Sequence, residues 1–196
     1  EYAHLREQLK ADPNHELVSF VILRNPENVA AVPDRELSLI PFPAHEIFVQ
    51  NLMQFDLFIL QNFAHWRFGL PAGYLEGLRS FVARGGALLV LGGSQAFAQG
   101  GYAGTPLEDA LPVDLWRGGQ DYAPGAFKPA LAAAGHPLLE VADTPEESRA
   151  LWAALPPLDG FNRFAGAKAG ATVLLAHPSE RSPAGGPAPI LAVREY

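Results

Sequence analysis

If this chain does covalent chemistry, the residue placed to begin it is Ser94. Ser94 stands in the turn Gly92-Gly93-Ser94-Gln95-Ala96, directly after the apolar run Ala87 to Leu91. A serine exposed at a tight turn leaving a strand resembles a nucleophile elbow, and it needs a base to take its proton. Two histidines are candidates. His65 follows an earlier apolar run and should project near the same edge, while His177, in His177-Pro178-Ser179-Glu180, has a carboxylate three residues on. Plainer readings stand beside these. Ser94 could cap a helix, its oxygen accepting a backbone N–H. Asn62, His65 and Trp66 could pack and hydrogen-bond in a connecting loop. His177 opens a Ser-, Gly- and Pro-rich stretch that reads as a surface hairpin tip.

Other chemistries find less support. The chain has no cysteine, which removes disulfides, thiolate metal sites and every thiol mechanism together. His4, His15, His45 and His136 are dispersed without ligand spacing, so no structural metal is expected. Gly92-Gly93 and Gly100-Gly101 lack the Gly-Lys-Ser/Thr or G-x-G-x-x-G pattern of a phosphate loop, and no cofactor is expected. Phe97, Tyr102, Trp116 and Tyr122 alternate with Asp114, Arg117 and Asp121. Such a set either lines a sugar or peptide site or forms a satellite core under a long loop. The formal charge is −7, from 14 Lys plus Arg against 21 Asp plus Glu, and the basic residues are scattered, which argues against a nucleic-acid partner.

The elements that must position Ser94 are legible in the apolar pattern. Leu5 and Leu9 share a helical spacing with Tyr2, and Asp12-Pro13-Asn14 stops that helix. Leu17 to Leu23 and Phe55 to Leu60 read as strands buried on both faces of a parallel sheet, separated by a loop over Asn25 to Pro43. Tyr74, Leu75, Leu78, Phe81 and Val82 predict a helix opened by Pro71 and closed by Gly85-Gly86. Ala87 to Leu91 is the next strand. A strand–helix–strand unit of this length is a crossover between parallel strands, and it puts Gly92-Gly93-Ser94 at the carboxyl edge, where open α/β folds bind ligands. Beyond Gly100 the chain turns to Gly, Pro and Ala. There Ala171 to Ala176 and Pro189 to Val193 predict a hairpin with a long tip over Pro178 to Ala188. The 196 residues, 48% hydrophobic, fit one domain. No run reaches the ~18 apolar residues of a membrane span, and Glu1-Tyr2-Ala3-His4 lacks a signal-peptide layout.

Gly85-Gly86-Ala87-Leu88-Leu89-Val90-Leu91-Gly92-Gly93, then Phe97, Gly100-Gly101-Tyr102, Thr105-Pro106-Leu107 and Leu111-Pro112-Val113 carry a resemblance. So do Gly135-His136-Pro137-Leu138-Leu139, Trp152 to Leu158 and Pro189-Ile190-Leu191 before Arg194-Glu195-Tyr196. In these pieces the chain resembles the class I glutamine amidotransferase-like domains attached to von Willebrand factor A modules in bacterial membrane proteins. That resemblance implies a three-layer, flavodoxin-like α/β fold with a β-rich, loop-rich C-terminal half. An amidotransferase of this class carries a cysteine in the turn matching Gly92-Gly93-Ser94-Gln95-Ala96, completed by a His-x-Glu pair that His177 and Glu180 match only with one residue inserted. Relatives also carry a strand before the segment matching Glu1-Tyr2 and another after Tyr196. The chain is therefore expected to be trimmed from a longer, membrane-anchored polypeptide, on the periplasmic rather than the cytoplasmic side. The leading expectation is a non-catalytic module whose sheet-edge cleft, with Gly92, Gly93, Gln95 and Tyr102, meets a small ligand or a neighbouring domain. The alternative is a hydrolase or transferase using Ser94 with His65 or His177.

Overall fold

A computed structural model describes residues 2–21 and 42–196 of the chain. It is a mixed α/β fold whose sheets are small and not closed. Helix α1, Tyr2–Ala11, ends where Asp12 accepts the Asn14 N–H on its carboxylate. Leu17 to Val21, expected as a strand, lie outside any strand, and Val18 and Phe20 are exposed. Ile22, Leu23 and nearly all of the expected loop fall outside the described residues. Two helical turns, Glu46–Gln50 and Leu52–Gln54, then seat Ile47, Phe48 and Leu52 in the core.

The crossover unit forms as its periodicity requires. Strands β1, Leu57–Gln61, and β2, Ala87–Leu91, pair in parallel with Leu57 opposite Ala87 and Gln61 opposite Leu91. Between them runs helix α2, Ala72–Ala83, which buries Leu75, Leu78 and Phe81. Pro71 precedes its first turn, and the Gly85 and Gly86 N–H groups return to the Val82 and Phe81 carbonyls at 2.9 and 3.0 Å. Each large apolar side chain buried along α2 contributes about 1.5–3 kcal/mol relative to exposure. Burial of the strands on both faces is not what forms. Leu60 is buried in the main core and the half-buried Phe58, Leu88 and Val90 pack against it, whereas Leu57 is 44% exposed and the half-buried Ile59, Leu89 and Leu91 are not part of that core. Alternate residues of a strand point to opposite faces, so the core covers one face of this two-stranded sheet.

The second half is built from short antiparallel pieces. Helix α3, Pro106–Ala110, leads into β3, Val113–Leu115, which pairs with β7, Phe164–Ala167. Strand β4, Tyr122–Phe127, pairs with β6, Leu158–Asn162. Strand β5, Ala130–Leu131, joins a hairpin of β8, Thr172–Arg181, and β9, Pro187–Val193. Before β6 comes helix α4, Pro145–Ala154, whose start is a reciprocal cap: Thr144 accepts the Glu147 N–H and its hydroxyl donates to the Glu147 carboxylate. Trp152 on α4 donates to the Leu139 carbonyl beside a smaller core of Leu139, Leu174 and Leu175. The hairpin tip is shorter than expected. Strand β8 runs on to Arg181, and His177 to Glu180 form a bulge between the pairs Ala176–Pro189 and Arg181–Pro187. No helix among the described residues is long and apolar enough to cross a membrane.

Candidate functional site

The carboxyl edge of β1 and β2 brings two loops together. Asn62 follows β1 with its N–H on the Leu91 carbonyl at 3.0 Å, and Gly92-Gly93 follow β2 beside it. The loop after β1 then clamps the loop after β2 residue by residue. His65 Nε2 donates to the Gly101 carbonyl at 2.8 Å, Trp66 Nε1 to the Gln99 carbonyl at 3.0 Å, and Arg67 Nη1 to Gln95 Oε1 at 3.0 Å. The second clamp comes from the far half of the chain. At the end of β6, Asn162 accepts the Gly93 N–H on Oδ1 at 2.8 Å and donates from Nδ2 to the Gly93 carbonyl at 3.0 Å.

Gly93 has φ +146°, and a Cβ there would lie 2.4 Å from Asn62 Oδ1; at Gly92 it would lie 2.5 Å from Asn162 Oδ1. Only glycine fits between these two amides. The turn is held so that the Gln95 N–H donates to Asn62 Oδ1 at 2.7 Å. In an elbow, the N–H of the residue after the nucleophile is the donor that stabilises the oxyanion. Here that donor is Gln95, and a protein oxygen already occupies it.

Ser94 itself is exposed, and its hydroxyl bonds no group among the described residues. No helix follows it. The chain continues in turns to Gly101, so the helix-cap expectation does not hold either. His65 lies in the neighbouring loop, where the two loops were expected to meet, but its ring faces Gly101 and Tyr102, centroids 6.3 Å apart from the latter. With Nε2–H donating, Nδ1 is the acceptor nitrogen, and it is buried without a partner. Neither nitrogen bonds Ser94.

His177 belongs to a different part of the fold. Its ring sits against Phe127 and Phe161, with centroids 4.3 and 4.8 Å away. Its Nδ1 accepts the backbone N–H groups of Ser179 and Glu180 at 3.2 and 2.9 Å, closing the β8 bulge. Glu180 thus meets His177 through its amide and not through a carboxylate that would orient a base.

Tyr102, expected at a ligand, is fully buried and donates to the Phe63 carbonyl at 2.6 Å. Burial pushes its phenol well above the usual tyrosine range. Phe97 is in the same core, packed edge-on to Phe164 at 4.8 Å, so the expected aromatic set divides: Phe97 and Tyr102 are core, while Trp116 lines a cleft elsewhere. Asp121 is buried with the Ala98 N–H on Oδ2 at 3.0 Å, and Oδ1 has no partner. Burial raises its carboxyl above the ordinary aspartate value, with the Ala98 N–H opposing. Asn162 is the residue the sequence pattern passed over, although a buried amide inside Phe161-Asn162-Arg163-Phe164 is the signal of a specific hydrogen-bonding duty. Among the described residues no group of His, Asp and Glu is arranged to hold a metal ion. No protein-family model matches the chain, and no curated protein does.

Proposed function

We propose that this chain is a non-catalytic binding or interaction module with the frame of a class I glutamine amidotransferase-like domain. The observation that carries this reading is the occupied amide: Asn62 Oδ1 holds the Gln95 N–H at 2.7 Å, where an acyl-transfer site would leave a donor open. A tetrahedral intermediate at Ser94 would have to displace that bond and recruit a base that neither histidine supplies. The absence of cysteine from the sequence points the same way. The parallel β1–α2–β2 unit, with its glycine turn at the carboxyl edge, supports the three-layer, flavodoxin-like reading. In this proposal the module serves a larger, membrane-anchored bacterial protein on the periplasmic side, and its partners are neighbouring domains of that polypeptide or a small ligand.

The test is hydrolysis of L-glutamine and of p-nitrophenyl acetate by the wild-type chain and by Ser94→Ala. The expected outcome is the same rate for both proteins and for buffer. A wild-type rate that Ser94→Ala abolishes would establish the serine-hydrolase alternative instead.

A further inference from the structure

Two buried polar groups without partners among the described residues, on Trp116 and Ser182, lie away from the glycine turn, where β6, β7 and the β8–β9 hairpin meet. A cleft of about 240 Å³ opens there, lined by Trp116, Phe161, Arg163, Phe164, Arg181 and Ser182 among others, and a second of about 460 Å³ shares Phe161, Arg163 and Glu180 with it. Two of the lining groups are buried and unsatisfied. Ser182 is 6% exposed, and neither its hydroxyl nor the Trp116 indole N–H has a partner among the described residues. A buried polar atom without a partner costs about 1–3 kcal/mol, so such groups mark a place where something else supplies the partner. The guanidinium groups of Arg163 and Arg181 also lack an ion pair or hydrogen bond among the described residues.

We infer that this cleft binds a small carboxylate attached to an aromatic or similarly flat, apolar body. The four unpaired groups can all act as donors, and two are cationic, so the complementary ligand brings acceptor oxygens and negative charge. A guanidinium presents its N–H groups in a planar fork that matches a carboxylate. The rings of Phe161, Phe164 and Trp116 favour a flat apolar body over a bare ion. Glu180, which lines both clefts, disfavours a dianion and therefore selects a monocarboxylate over phosphate. The inference goes beyond the proposed function, because the cleft shares no residue with the Gly92–Gln95 turn and stands whether or not Ser94 is reactive.

The experiment is a titration of the ¹⁵N-labelled chain with phenylacetate, read at the three tryptophan indole N–H resonances, with Trp116→Phe identifying the relevant one. Phenylacetamide, inorganic phosphate, and the variants Arg163→Gln and Ser182→Ala complete the set. The expected result is a saturable shift of the Trp116 resonance with those of Trp66 and Trp152 unmoved. Binding should weaken about tenfold or more for phenylacetamide and for Arg163→Gln, the loss expected when a charge-assisted pair is broken. Phosphate should not displace phenylacetate, and Ser182→Ala should weaken binding while the protein stays folded. An unmoved Trp116 resonance, phenylacetamide binding as tightly as phenylacetate, or displacement by phosphate would each overturn the inference. Failure here leaves the outcome of the hydrolysis test untouched, so the two readings are separable.

Discussion

The glycine turn after β2 and the cleft beside the β8–β9 hairpin treat their polar groups in opposite ways. At the turn, the Gly93 N–H and carbonyl, the Gln95 N–H and side chain, and the carbonyls of Gln99 and Gly101 are all bonded by side chains from elsewhere in the fold. At the cleft, the Trp116 indole and Ser182 hydroxyl are buried and unbonded. The position an α/β fold offers for chemistry is here a joint between the two halves of the chain whose turn backbone is held by side chains from both. Two unsatisfied groups lie at the cleft, where no motif announced them, and two more, His65 Nδ1 and Asp121 Oδ1, lie beside the joint. Hydrogen-bond satisfaction is therefore a better guide to open chemistry in this molecule than the position of a serine.

Breaking the joint should cost most. Gly93→Ala places a Cβ 2.4 Å from Asn62 Oδ1 on a backbone with φ +146°, and a loss of about 3 kcal/mol is expected from strain and displaced hydrogen bonds together. Chemical denaturation, compared with wild type at the same pH, measures it. Asn162→Ala removes both bonds to Gly93 and leaves that backbone pair inside the joint without side-chain partners. About 2–3 kcal/mol is expected, and a loss below ~0.5 kcal/mol would mean that water replaces Asn162 and the joint is weaker than its geometry.

A titration sharpens the picture of the same joint. The Asp121 carboxyl is raised in the folded protein above its ordinary value of 3.8 because it is buried. Between the ordinary and the folded value the folded state holds the extra proton. Asp121 therefore opposes folding at neutral pH, and that penalty is relieved as the pH falls through its folded value. The melting temperature of the wild type relative to Asp121→Asn should accordingly rise on acidification from about pH 7 towards pH 4. A constant difference would place Asp121 in a solvated setting. The smallest effect belongs to the cleft. Ser182→Ala deletes a hydroxyl that bonds nothing, so stability should change by less than about 0.5 kcal/mol or rise slightly. A clear loss in thermal denaturation would show that Ser182 has a partner in the free protein and would erase the contrast between the two regions.

Much of the frame was legible. The apolar runs at 55–60 and 87–91, and the Leu75, Leu78 and Phe81 spacing between them, are local patterns, and local patterns decide period and burial. The hairpin of 172–193 was legible for the same reason. Of the strand expected over 17–23, the described residues Leu17 to Val21 lie outside any strand, because composition can mark a segment as strand-like without saying which edge it pairs with. The turns at Glu46–Gln50 and Leu52–Gln54 were passed over, although the spacing of Ile47, Phe48 and Leu52 was their signal. The bulge at His177 to Glu180 depends on cross-strand register, which no single strand encodes.

By itself, the sequence determined that the chain makes no thiol, that a parallel strand–helix–strand unit ends in a glycine turn, and that Ser94 stands on that turn. These follow from residue types and from spacings of a few positions. Only the tertiary structure decided what surrounds the serine. Asn62 and Asn162 are 100 positions apart in the sequence yet bond the same turn from both sides. His177, which the sequence allowed as a base, is carried by the hairpin register to Phe127 and Phe161 instead. Backbone amides are identical in every sequence, so whether one is open to an oxyanion or closed by a side chain depends on long-range packing.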